Sequence, residues 1–165
     1  FAFVEALSEQ LRTVLTVRLY MNDYGWEQKA RWHKKLPKIK LDSGEKNINK
    51  LIAQSRIFVS TYNATTYLES FSMNIPTVIF WNPDHWEVRD SAQPYFNNLK
   101  KVGIFHETPE SAAKHIISVW DDVNCWWNDS LTKKSVSDFC KMYANTNADL
   151  LNKLYNEIQI TSKGK

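Results

Sequence analysis

Glycine is scarce in this chain, with four residues in 165. Phosphate-binding loops of the GxGxxG and Walker A kinds need several glycines where the backbone must approach a pyrophosphate, and neither pattern occurs. This argues against a Rossmann dehydrogenase and against a P-loop NTPase. Cysteine is scarcer still. Cys125 and Cys140 stand in helix-like surroundings with no Cys or His at metal-ligand spacing, so buried free thiols are expected rather than a disulfide. No DxD-like pair or His cluster asks for a metal, and no cofactor is expected. No apolar run approaches the roughly 18 residues of a membrane span, and no signal peptide is recognisable. The sequons Asn63-Ala64-Thr65 and Asn128-Asp129-Ser130 are discounted, because nothing else points to secretion. Charge of one sign is also lacking. The net charge is +3, and the basic residues are scattered apart from KARWHKK at 29–35. A solvated helix face accounts for that cluster better than a nucleic-acid groove.

What is present is an ordinary globular composition, 43% hydrophobic and 24% charged, with seven Trp. The length suits one domain with a substantial core. The chain begins at Phe1 inside an amphipathic pattern, so it is expected to be an excised piece of a longer protein.

Apolar periodicity predicts a helix over 2–12, carried by Phe3, Ala6, Leu7 and Leu11. The β-branched run TVLTVRLY predicts a strand over 13–20. A short charged helix is expected over 27–35, ending before Pro37. A short strand follows at 39–41, then a helix over 45–54 capped by Asp42 or Ser43. RIFVS at 56–60 reads as a buried strand, 64–73 as a helix and PTVIFW at 76–81 as the next strand. A loop covers 82–93. A helix over 94–103 ends at Gly103, a short edge strand covers 104–106, and Thr108-Pro109-Glu110 starts a helix to about 122. A last helix runs from about 130 to 157, and the tail TSKGK is expected to fray. Alternating strands and helices predict an α/β fold, a Rossmann-like open parallel sheet flanked by helices.

In such a sheet, ligands bind at the carboxyl ends of strands, beside helix starts. The stretch VSTYNATTYLES at 59–70 puts Ser60, Thr61, Asn63, Thr65 and Thr66 at one such place. Hydroxyls and amide protons there suit a phosphate. Glu69, four residues beyond Thr65, suits the hydroxyls of a ribose or sugar. A second reading stays open: Ser, Thr and Asn also serve as plain helix caps, with Glu69 solvated.

The loop WNPDHWEVRDSAQPYF follows the next strand end. His85 can donate to a phosphate or exchange a proton near neutral pH. Arg89 can clamp a phosphate, and Trp81 and Trp86 can stack on a ring. The alternative is a surface loop pinned by its aromatics, with Arg89 paired to Asp90 or Glu87. The segment NDYGWEQKARWH at 22–33 also follows a strand and is a candidate third lip, with Tyr24 and Trp26. Arg18, inside a buried strand, needs a partner or a ligand. In WDDVNCWW, Trp120, Val123 and Trp127 share a helical stripe and read as core packing, not as a paired-carboxylate site. His33, His106 and His115 stand isolated as surface or satisfied core residues.

The segment SRIFVSTYNATTYLESFSMNIPTVIFWNPDHWEVRD resembles the second, donor-binding half of GT-B glycosyltransferases. It looks most like bacterial transferases found with surface-polysaccharide genes. It is more distantly similar to CDP-glycerol glycerophosphotransferases and capsule Kdo transferases. The resemblance spans roughly residues 50 to 127. It implies that Ser60, Thr61, Asn63, Thr65 and Thr66 hold the phosphate of a nucleotide-activated sugar donor. Glu69 would hold hydroxyls, and His85 and Arg89 would approach the donor as catalytic residues. The sequence departs from the family in lacking its turn glycines, which leaves the nucleotide open. The implied partners are an N-terminal half of the same protein and a glycan acceptor, with no nucleic acid. The implied place is the bacterial cytoplasm, compatible with peripheral association at the inner face of the membrane. Two other readings remain: half of a nucleotide-sugar epimerase, or a non-catalytic α/β interaction domain docking through its Trp-rich C-terminal helices.

Overall fold

Thr77, Val78, Ile79 and Phe80 leave no polar face, and a strand of that kind must be covered on both sides. In the computed structural model, which describes residues 1–145 and 149–163 (157 and 161–163 by backbone alone), they form β4 (Thr77–Phe80), buried throughout. It lies between β3 (Phe58–Ser60) and β5 (Phe105–His106), parallel to both. Val59 stands opposite Val78, and Ile79 opposite Phe105. A second parallel sheet pairs β1 (Thr16–Arg18) with β2 (Lys40–Asp42), Val17 opposite Leu41.

Parallel neighbours need a crossover, and helices supply it. Helix α3 (Gln28–Lys35) joins β1 to β2, and α4 (Ile48–Gln54) leads from β2 to β3. Helix α5 (Thr66–Ser72) joins β3 to β4, and α6 (Gln93–Lys101) joins β4 to β5. Two helices, α1 (Ala2–Ala6) and α2 (Glu9–Val14), precede the strands. Four follow: α7 (Pro109–Val119), α8 (Val123–Asn128), α9 (Ser130–Tyr143) and α10 (Leu150–Lys163).

Successive side chains of a strand point to opposite faces. Ile79 and Trp81 therefore enter one core, with Tyr67 and Phe71 of α5, Phe96 and Leu99 of α6, Trp127 of α8 and Phe139 of α9. Val78 and Phe80 enter a second core, with Phe3 and Val4 of α1, Leu7 at its end, Leu11 of α2, and Ala112, Ala113 and Ile116 of α7. Val17 and Leu41 of the smaller sheet pack on this second core, beside Val59. The result is the expected α/β arrangement of parallel strands between helical layers. One detail differs: among the described residues the strands form two sheets with no ladder between them, tied instead by the second core.

Several boundaries differ from expectation, each for a local reason. The helix over 2–12 is two helices. Ser8 is extended and its Oγ accepts from Leu11 N at 3.4 Å, restarting the helix. That restart keeps Thr13 and Val14 helical and shortens the predicted strand to Thr16–Arg18. Helix α4 is capped by Asn47, whose Oδ1 accepts from Lys50 N at 3.1 Å. Asp42 is unavailable as a cap, because its carboxylate takes Arg18 at 2.8 Å and Gly44 N at 3.3 Å. The last helix is also two: α9 ends at Tyr143, and α10 starts at Leu150. Residues 161–163, expected to fray, continue α10; the remainder of that tail, 164 and 165, lies outside the described residues. Thr108 caps α7 by accepting from Ser111 N, and Gly103 ends α6 with φ +75°, both as predicted. Both cysteines are free, but Cys125 is exposed rather than buried, and only Cys140 is half-buried.

Candidate functional site at the strand ends

Because β3 and β4 are parallel neighbours, the loops leaving their carboxyl ends emerge side by side. They touch: the rings of Tyr62 and Trp86 lie 6.2 Å apart, both more than two-fifths exposed. The two segments picked out in the sequence are thus one surface feature. Tyr62 itself was missed, although an aromatic among small polar residues, opposite a Trp in the neighbouring loop, was the available signal.

On the first loop, Ser60 ends β3 buried, and its hydroxyl donates to Tyr62 O at 3.2 Å. Thr61 is exposed. Asn63 Oδ1 accepts from the Tyr67 hydroxyl at 2.9 Å. Burial pushes that phenol up to about 12, so it remains a donor and fixes Asn63, whose amide nitrogen has no partner among the described residues. Thr65 is the N-cap residue of α5, yet its backbone is helical (φ −66°, ψ −23°) and its side chain makes no capping bond. Thr66 begins the helix half-buried. Glu69 is exposed, and among the described residues its carboxylate has no ion-pair or hydrogen-bond partner. The plain-cap reading of these residues therefore lacks its bond.

On the second loop, Asn82 Oδ1 accepts from Asp84 N at 3.0 Å, and its carbonyl accepts from His85 N and Trp86 N. This turn holds His85 and Trp86 outward. Arg89 O accepts from Ala92 N and Gln93 N, which opens α6. Val88 anchors the loop on the first core. His85 and Arg89 are exposed, and neither Asp90 nor Glu87 pairs with Arg89 among the described residues. Trp81 is no stacking platform. It is 3% exposed, wedged between Tyr67, Phe96 and Phe105, and its indole N–H is buried without an acceptor.

Arg18 finds a partner rather than a ligand. Its guanidinium holds Asp42, Lys46 O at 2.9 Å and Gly44 O at 2.7 Å. Trp127 is buried with its N–H on Asn74, while the half-buried Trp126 donates to Val102 O at 2.8 Å. Asp122 caps α8 by accepting from Cys125 N. The Trp-rich stripe is core packing as predicted, and it offers little docking surface. His106 and His115 are not isolated: their rings lie 5.4 Å apart, with His115 edge-on to Trp126. Among the described residues, no three His, Cys, Asp or Glu side chains are grouped to hold a metal ion, and no helix is long and apolar enough to cross a membrane.

A family model described as LIC12162 family transferase matches residues 1–158. No curated protein and no solved structure gives a significant match.

Proposed function

The chain belongs to the LIC12162 family of transferases, and from that premise we propose that it is the donor-binding half of a GT-B-type glycosyltransferase acting in bacterial surface-polysaccharide synthesis. One observation carries the reading. Two neighbouring parallel strands lead into adjoining loops that carry Thr61, Thr65, Thr66, Glu69, His85 and Arg89, exposed or half-exposed, and among the described residues none of these side chains is spent on an internal bond. Side chains that stabilise nothing in the fold are available for a ligand.

In the proposed reaction, the bond between the sugar's anomeric carbon and the donor phosphate oxygen breaks. A bond from that carbon to an acceptor hydroxyl forms, and the hydroxyl proton passes to a base outside this chain. Arg89 and the hydroxyls of Thr61, Thr65 and Thr66 would neutralise the leaving phosphate. Asn63 would donate its amide N–H to the same oxygens. Glu69, too close in charge to a phosphate, would accept from ribose or sugar hydroxyls. His85 would protonate or steady the leaving group. Exposed Trp86 and Tyr62 would cover the ring of the base or sugar.

Titration of this chain with UDP, GDP, dTDP, CDP and CMP, followed by amide NMR, tests the reading. Shifts from one nucleotide at 60–69 and 85–90, lost in Glu69→Gln, support it. Silence from all five in a longer protein that also carries the other half would end it.

A further inference from the structure

The segment between β1 and α3 exposes aromatic surface that packing does not explain. Tyr20, Tyr24 and Trp26 are 58%, 63% and 56% exposed. They touch in series, Tyr20 to Tyr24 at 5.8 Å and Tyr24 to Trp26 at 5.6 Å, giving a ledge of three tilted rings. The chain bends sharply to make it. Gly25 has φ +80° and Glu27 has φ +50°, so Trp26 is held between two left-handed residues. For Glu27 that conformation is uncommon and costs energy; the bend is held by Gln28 N donating to Asp23 Oδ2 at 3.2 Å and by Arg31 N donating to Glu27 O at 2.9 Å.

Beyond Trp26 the ledge runs into a notch of about 300 Å³ lined by Trp26, Gln28, Arg31, Trp32 and Phe1. One group lining the notch is unsatisfied, and an exposed one is unpaired. Gln28 Oε1 accepts from Tyr20 N at 3.3 Å, but its amide nitrogen is buried without an acceptor. Among the described residues, no carboxylate pairs with the Arg31 guanidinium. A buried donor left unmade costs about 1–3 kcal/mol, so a ligand oxygen there has a standing advantage. The neighbouring Lys35 is different, being committed to Glu5 and to the face of Phe1.

We propose that this ledge and notch bind an acidic oligosaccharide, with a carboxylate-bearing sugar in the notch and the following sugars on the ledge. Arg31 takes the carboxylate, Gln28 donates to a ring substituent, and Trp26, Tyr24 and Tyr20 cover the apolar faces of successive sugars. A nucleotide is the poorer fit, because it would fill the notch and leave the ledge bare. The inference rests on the glycosyltransferase reading above: the bound chain is the acceptor side of that reaction, met by the half that also binds the donor.

The test is an NMR titration of the whole chain with tetragalacturonic acid, with neutral cellotetraose, with inorganic phosphate and with UDP. The expected result is shifts confined to residues 20–32, including the Trp26 indole, with the acidic tetrasaccharide binding more tightly than the neutral one. Arg31→Ala should weaken the acidic ligand about tenfold and leave the neutral one unchanged, the size expected for one charge-assisted hydrogen bond. Trp26→Ala should weaken both. A circular dichroism melt unchanged in both variants shows that the fold is intact. Silence at 20–32 with both saccharides overturns the proposal, as do shifts there with UDP alone or phosphate alone. Slower diffusion of the wild type at rising concentration, cured by Trp26→Ala, would assign the ledge to a second copy and likewise overturn it. Donor binding is read separately at 60–69 and 85–90 in the same spectra, so the two readings fail independently.

Discussion

At the residue scale, one contact fixes what position 103 can hold. Gly103 has φ +75°, and a Cβ there would collide with the His115 ring. Gly25 has φ +80° but open space around it. Gly25→Ala should therefore show only the backbone penalty, about 1–2 kcal/mol. Gly103→Ala should lose clearly more in urea denaturation; equal losses would show that His115 yields freely. The same histidine sets an acid limit. Burial, with His106 adding to it, holds its pKa down to about 4, against about 6.5 in the unfolded chain. Between those values the unfolded chain binds a proton that the native state refuses. The contribution of His115 to stability should be flat above pH 6.5 and fall as pH drops toward 4. His106, also lowered chiefly by burial, works in the same direction. Urea midpoints across that window should slope less in His115→Gln than in the wild type. Gly103 was legible as a helix end, but the contact of the two histidines was not: His106 and His115 are nine residues apart, and nothing in the sequence marks their meeting across β5 and α7.

At the element scale, two threonines separate capping from ligand binding. Thr108 Oγ accepts from Ser111 N at 3.2 Å and starts α7, which carries Ala112, Ala113 and Ile116 into the second core. Thr108→Ala should cost about 1 kcal/mol in a thermal or urea melt. Thr65 stands at the corresponding place on α5, and its side chain makes no capping bond. Thr65→Ala should change stability by less than about 0.5 kcal/mol and weaken the donor nucleotide in the titration above. A loss as large as that of Thr108 would restore the plain-cap reading. The Thr-Pro-Glu start was readable because cap, proline and acid agree. The Ser8 break was not, because Phe3, Leu7 and Leu11 keep their four-residue spacing across it and bury in one core. Position 42 misled for a different reason: Asp42 is a good cap residue by type, but Arg18, 24 positions earlier, had already taken its carboxylate.

At the scale of the whole molecule, β4 decides how the protein unfolds. Its unbroken apolar run made it the easiest strand to find, and the run has a structural cause: Ile79 and Trp81 feed one core while Val78 and Phe80 feed the other. The division of the strands into two sheets escaped the sequence, because strand propensity does not report which neighbours share a ladder. The strand-end loops were located by the same logic of parallel connection, whereas their contact through Tyr62 and Trp86 is a product of tertiary packing. Since both cores end on one strand, neither can lose its packing alone. Ile79→Ala, at a wholly buried site, should cost about 2–5 kcal/mol. Because β4 feeds the core under α1, α2 and α7 as well as the first core, that loss should lower the stability of both layers together. Far-UV circular dichroism and the fluorescence of the seven Trp should give one coincident transition in the wild type and, at lower urea, in the variant. Val78→Ala, on the opposite face, should shift the same single transition. Two separated transitions in either variant would show that the helical layers fold as independent units and that β4 does not couple them.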